Sequence, residues 1–270
     1  MFVAEGKTKM TKGNLMALLS VALSSCCCPP VGEENFAKDG FVSLFNGKDL
    51  SGWKIPEGDK GHWLVIDGAI DYDAQSEAKD KTLWTEETFG NYELHIDWRF
   101  KSTAGLFPAP TILPDGNYKT DADGKQITTL VPNADSGIYL RGDSGDDPTY
   151  GGRSIDQLNL WCVPVGSGEL FWVRHTKENA PEIRAAATPK VRADNPPRHW
   201  NSMDINLTDD RVTVVLNGKT VIENAQIPGI SKEGPIGLQH HGGIHEVTGN
   251  LLPHSSLVEF RNIWIKRLDR

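Results

Sequence analysis

Cysteine is nearly absent from the body of this chain. Four occur in 270 residues, three of them as Cys26-Cys27-Cys28, so Cys162 stands alone after them. One cysteine forms no internal disulfide, and a buried core must hold the fold. Positive charge is also short. The chain has 28 Lys and Arg against 36 Asp and Glu, a net charge of −8. Phosphate contacts need stripes of Lys and Arg, so nucleic acid is excluded as a partner. No apolar run approaches the roughly 20 residues of a membrane-spanning helix. No helical spacing of apolar residues persists for three turns, and no repeat of fixed period occurs.

The N-terminus carries what basic and apolar clustering there is. Lys7, Lys9 and Lys12 precede the short apolar run Leu15 to Leu23, then Ser24, Ser25 and Cys26. A basic segment, a short apolar segment and small residues form an export signal. The Leu-Ser-Ser-Cys ending resembles a bacterial lipobox, which implies lipidation of Cys26. Residues 1–28 are expected to be a signal peptide with lipobox and 29–40 a linker, with Met10 a second candidate start. The expected location is the bacterial cell envelope, touching membrane only through the lipid; a soluble periplasmic or secreted product is the alternative.

Strand signals fill the remainder. Tyr92, Leu94, Ile96, Trp98 and Phe100 alternate with Glu93, His95, Asp97, Arg99 and Lys101. A period of two predicts a half-buried antiparallel strand. Val212, Val214 and Leu216, then Asn217-Gly218, then Val221 and Ile222 predict a β-hairpin, because both turn positions tolerate positive φ. Trp63 to Ile66, Asp67-Gly68 and Ala69-Ile70 predict another. Many short strands punctuated by glycine and proline imply an all-β sandwich or jelly roll. Residues 102–135, with Pro108, Pro110, Pro114 and Pro132, read as a long insertion loop, and loops of that length are commonly functional. Asp121-Ala122-Asp123-Gly124 within it has the start of a calcium loop without its later acidic ligands.

Several separated segments share a resemblance. Ser136-Gly137-Ile138-Tyr139-Leu140-Arg141-Gly142, the hairpin from His199, Gly237-Leu238-Gln239-His240-His241-Gly242 and the closing strand Val258 to Leu268 resemble the 3-keto-disaccharide hydrolase family. The resemblance runs from about Phe41 to Leu268. It implies a single concanavalin A-like jelly-roll domain of two antiparallel sheets over residues 41–268. The implied chemistry is cleavage of a glycoside already oxidised at C3. A base removes the acidified C2 proton, donors hold the enolate, the C1 oxygen leaves with protonation, and water adds. That sequence needs a base, an acid and an oxyanion binder, and no cofactor.

Face alternation nominates the residues. If Ile138 and Leu140 enter the core, Tyr139 and Arg141 face the opposite, concave sheet. Leu158 and Leu160 likewise send Gln157, Asn159 and Trp161 outward, an aromatic plate flanked by amides that suits a pyranose. Against the family pattern Y-E-V-Q-I-W-D, Gln157 takes the Glu position, Asn159 the Gln position and Cys162 the Asp position; Asp135 or Asn133 lies near the family's usual Asn. Amides exchange no protons, so another carboxylate must serve. Asp156 is adjacent, and Glu169, after the Gly166-Ser167-Gly168 turn, is preferred as base. His240 is the expected acid, and Arg141 with Gln157 and Asn159 the expected oxygen binders. Arg174, Gln239 and His241 complete the substrate-binding set with Tyr139 and Trp161. Zinc on His240, His241 and His245 lacks a regular ligand spacing, and no metal is expected. Two other classes fit the fold: a carbohydrate-binding module without catalysis, and an ordinary glycosidase drawing on Asp97, Glu169 and Glu259. The sequence sets no oligomeric state.

Overall fold

The local signals become structure at two tight turns. Asn217 and Gly218 both take positive φ, 49° and 76°, as do Asp67 and Gly68 at 51° and 75°. Each pair is the two-residue connection whose twist matches its strands. The computed structural model describes residues 36–37, 39–80, 82–142, 157–241 and 256–268. The expectations for the signal peptide, Cys26, the linker before Phe36, Asp156 and His245 lie outside these residues.

Among the described residues the chain forms a sandwich of two antiparallel sheets. One runs β14 (Lys219–Gln226), β13 (Arg211–Leu216), β12 (Asn201–Thr208), β6 (Tyr92–Thr103), β16 (Ser256–Arg267), β4 (Ala69–Tyr72), β3 (Trp63–Ile66), with β1 (Val42–Ser43) also on β16. The other runs β11 (Glu169–Leu170), β10 (Gln157–Trp161), β9 (Asp135–Tyr139), β15 (Gly237–Gln239), β5 (Thr82–Thr85), β2 (Trp53–Lys54). This is the expected jelly-roll sandwich.

The core follows from alternation. Leu94, Ile96, Trp98 and Phe100 of β6 are buried and join a cluster with Ile205, Val214 and Phe260, facing Ile138, Leu158, Leu160 and Leu238 of the other sheet. Each such side chain contributes about 1.5–3 kcal/mol on burial. His95, Asp97 and Arg99 point the other way, into an ion-pair layer on the outer face. His95 reaches Asp204 at 2.6 Å and Asp97 at 3.6 Å, Arg261 reaches Asp97 at 3.4 Å, and Arg99 pairs with Glu259. Phe36 closes over this layer, stacked on Trp264 at 5.6 Å and tilted against His95 at 4.4 Å.

Residues 102–135 differ from a loop. β6 continues to Thr103, β7 (Leu106–Pro110) pairs with β8 (Thr128–Pro132), and β9 begins at Asp135. Asp121 ties a turn at the tip, its Oδ1 accepting from the backbone N–H groups of Asp123 at 3.0 Å and Lys125 at 2.9 Å. A second difference follows Glu169. The alternation through Leu170, Phe171, Trp172 and Val173 suggests a continuing strand, but β11 ends at Leu170. The chain then turns into α1 (Phe171–His175), followed by α2 (Pro181–Ala186). α1 lacks a side-chain cap. Its buried Val173 and edge-to-face contacts of Phe171 with Trp161 and Trp172 accompany a reversal that a strand could not make. No described helix is long and apolar enough to cross a membrane.

Candidate active site on the outer face of the six-stranded sheet

Strand register assembles the site. Gln157 lies opposite Tyr139, Asn159 opposite Gly137 and Trp161 opposite Asp135. Asn159 also faces Glu169 across β11. Gly237 and Gln239 of β15 lie opposite Tyr139 and Gly137, with Trp84 and Thr82 of β5 beyond them. Because Ile138, Leu158, Leu160 and Leu238 enter the core, all these partners share the opposite face.

The amides form a lattice there. The Gln157 Nε2 group donates to Asn159 Oδ1 at 2.9 Å and to Gln239 Oε1 at 2.7 Å. Gln239 Nε2 donates to the Tyr139 hydroxyl at 3.0 Å. Gln157, Asn159, Gln239 and Tyr139 are all buried. The lattice depends on a missing side chain: a Cβ on Gly137 would lie 2.4 Å from Gln157 Nε2. Trp161 is half-buried and donates its Nε1–H to Gly166 O at 3.0 Å, which fixes the ring.

Beside the lattice sits a carboxylate–guanidinium centre. Gly168, at φ 97°, allows the turn that sets Glu169 opposite Asn159. Glu169 is wholly buried. Its Oε1 accepts from Arg174 Nε, and its Oε2 has no hydrogen-bond partner among the described residues. The single turn of α1 brings Arg174 back over Glu169. The guanidinium also donates to Gly116 O at 3.1 Å, lies 5.0 Å over the Tyr118 ring and approaches His175 Nε2 at 2.6 Å. His175 therefore accepts at Nε2 as a neutral imidazole. Burial and the Arg174 charge push it down to about 4.

The carboxyl groups are shifted the other way. Burial raises Glu169 to about 7, although the Arg174 charge and hydrogen bond oppose the rise. Asp135 is pushed up to about 8 by burial and then by the Glu169 charge. Two acids on one face thus titrate near neutrality, one below the other.

Eight of the sequence-derived residues fall at or beside this face in chain order: Tyr139, Gln157, Asn159, Trp161, Glu169, Arg174 and Gln239, with the half-buried His241 following Gln239 and His240. Two candidates lie elsewhere. Arg141 follows the end of β9 and reaches the turns of the other sheet. It donates to Gly90 O at 2.8 Å, Asp209 O at 2.6 Å, Ser231 O at 3.1 Å and Asn91 Oδ1 at 3.0 Å. Alternation does not carry through to Arg141, because strand pairing stops at Tyr139. His240 points between the sheets, stacked on Tyr72 at 3.9 Å and edge-on to Trp63 at 5.8 Å. Gln239 faces outward, so its neighbour faces inward. Asp97 and Glu259 lie in the ion-pair layer on the far side of the molecule and do not meet Glu169. Sequence reasoning missed Tyr118, His175 and Trp84, and noticed Asp135 only as a counterpart of an Asn. Tyr118 has no readable signal, since only the hairpin carries it to Arg174.

A sandwich whose outer face holds amides, aromatics and paired carboxyl groups is the architecture of a carbohydrate-active β-sandwich protein. The family model of the 3-keto-alpha-glucoside-1,2-lyase-like domain matches residues 40–266. The chain belongs to that family. Two solved structures from Parabacteroides distasonis ATCC 8503, both of candidate glycosyl hydrolases, share the fold. One is 23% identical with a TM-score of 0.54, covering 87% of this chain and 97% of that one. The other is 21% identical with a TM-score of 0.50, covering 85% and 84%. Comparison with curated proteins finds no match.

Proposed function

We propose that this protein cleaves 3-keto-glycosides by removing the C2 proton, expelling the C1 substituent and hydrating the resulting enone. The observation that carries the reading is Glu169. It is buried, it titrates near neutrality, and one oxygen is held by Arg174 while the other has no partner among the described residues. A base poised at neutral pH suits a proton acidified by an adjacent ketone. Arg174, anchored by Gly116 O, supplies a fixed cation beside the base for the charge that develops on the C3 oxygen. Gln157, Asn159, Gln239 and Tyr139 present donors and acceptors for sugar hydroxyls, and Trp161 a flat apolar plate.

The test is purified protein with a panel of 3-keto-glucosides and the matching unoxidised glucosides. Cleavage of the oxidised set alone is expected. Cleavage of unoxidised glucosides would instead support an ordinary glycosidase, a reading favoured by the Asp135–Glu169 pair on one face. Binding without cleavage of either would leave a carbohydrate-binding module. We propose further that Cys26 is lipidated and holds the protein at the cell envelope. Mass spectrometry of the native N-terminus should find a diacylglyceryl thioether there and no residues before it.

A further inference from the structure

We propose that Asp135 is the acid of this site, donating its carboxyl proton to the departing C1 oxygen while Glu169 takes the proton from C2. The inference rests on the elimination chemistry above and assigns its second proton carrier. Four observations support it. Asp135 opens β9 on the same face as Gly137 and Tyr139, the strand that carries the centre of the amide lattice. Its cross-strand neighbour is Trp161, so a group leaving toward Asp135 departs along the aromatic plate. One carboxyl oxygen of Asp135 is shut off from water although the residue as a whole is only half-buried, which places the acid at the edge of a desolvated region. Glu169 is close enough for its charge to raise Asp135 further, so ionisation of the base itself keeps the acid protonated.

That coupling divides two otherwise similar carboxyl groups into roles. Glu169, with Arg174 beside it, is held at about 7 and ionises first; Asp135, raised by burial and then by the Glu169 charge to about 8, is the one that keeps its proton. The step balances without any further reagent. The C2–H electron pair becomes the C1–C2 double bond, the C1–O bond breaks, the C2 proton passes to Glu169, and the Asp135 proton passes to the leaving oxygen. Asp135, now a carboxylate, takes a proton from water as its hydroxide adds to C1. Glu169 returns its proton to C2. The products are the free 3-keto sugar and the alcohol, and both carboxyl groups end as they began. Two histidines are otherwise engaged: His240 stacks on Tyr72 between the sheets, and His175 is held neutral against Arg174.

The test reads leaving-group dependence, which a merely structural role would not move. Asp135→Asn preserves size and polarity. An alkyl 3-keto-glucoside needs protonation of its alcohol, whereas a 4-nitrophenyl 3-keto-glucoside expels a stable phenolate. The variant should lose about 10²–10⁴-fold in turnover of the first and less than about tenfold of the second. Exchange of the C2 proton with deuterated solvent should persist in the variant, because Glu169 is untouched. Should the variant not fold, the wild-type protein still answers. Its rates should depend weakly on leaving-group pKa at neutral pH and steeply above about pH 8, where Asp135 has lost its proton. Equal loss on both substrates, or an unchanged dependence across that pH range, overturns the Asp135 assignment alone. Failure of the wild-type protein to cleave either substrate overturns the proposed function, and the assignment with it.

Discussion

Glu169 and Asp135 show how surroundings separate residues of similar chemistry. Burial raises both, and the Arg174 contact holds Glu169 at about 7 while the Glu169 charge lifts Asp135 to about 8. In the proposed roles the base must be ionised and the acid protonated. The profile of kcat/KM against pH on a 3-keto-glucoside should therefore rise through about 7 and fall beyond about 8, with limbs that belong to the pair rather than to either residue. A profile flat across that interval would contradict the division of roles. Glu169→Gln should abolish C2 proton exchange, followed by NMR in deuterated solvent, while a bound 3-keto-glucoside is still detected by calorimetry. Arg141 gives the opposite kind of prediction. Its donors satisfy three backbone carbonyls and Asn91. Arg141→Ala strands those acceptors and should cost on the order of 3 kcal/mol of stability in chemical denaturation. Turnover per folded molecule should change little; a large loss there would return Arg141 to the catalytic group.

At the scale of elements, the site is a product of register. Gly137 is the position where β9 yields its side-chain space to the Gln157 amide. Gly137→Ala should leave the sandwich folded by circular dichroism yet weaken binding of a 3-keto-glucoside about tenfold or more, since several lattice hydrogen bonds of about 1 kcal/mol each must shift together. Unaltered binding would show that the lattice does not touch the sugar. The same strands explain what could be read beforehand. Tyr92 to Lys101 and the Asn217-Gly218 hairpin declare their geometry locally, because alternation and positive φ are properties of neighbouring residues. Gln157, Asn159 and Trp161 follow from alternation as well. Arg141 and His240 lie elsewhere because alternation says which side a residue leaves, and only within a strand whose pairing continues. Phe171 to Val173 has the aromatic and β-branched content of a strand, and its helical turn is set by packing against Trp161 and the core. Tyr118 reaches Arg174 through β7 and β8, a contact between residues 56 apart in sequence that no local pattern encodes.

For the whole molecule, the two faces of the sandwich titrate in the same direction. Burial alone would lower His95, but its hydrogen bonds to Asp204 and Asp97 prevail and raise it from 6.5 to about 9. A raised histidine stabilises the fold fully below its unfolded value, and that contribution is lost as pH climbs through about 9. Glu169 and Asp135, raised from 4.5 and 3.8 to about 7 and about 8, likewise bind protons that the unfolded chain releases, so stability falls as pH rises across those intervals. Thermal unfolding should accordingly show a melting temperature that declines from mildly acidic toward alkaline pH. His95→Gln should flatten the part of that decline between 6.5 and about 9. An undiminished slope in the variant would remove the His95–Asp97–Asp204 layer as its source.

Phe36 gives the molecule a direction. It enters the domain against Trp264 and His95, on the outer surface of the eight-stranded sheet. The amide lattice and its carboxyl groups occupy the outer surface of the six-stranded sheet, with the whole hydrophobic core between. If Cys26 is lipidated as proposed, the first described residue after the anchor meets the domain on the surface opposite the amide lattice. On that proposal the candidate site faces away from Phe36, with the hydrophobic core between them, and a sugar would reach it from the side opposite the anchor.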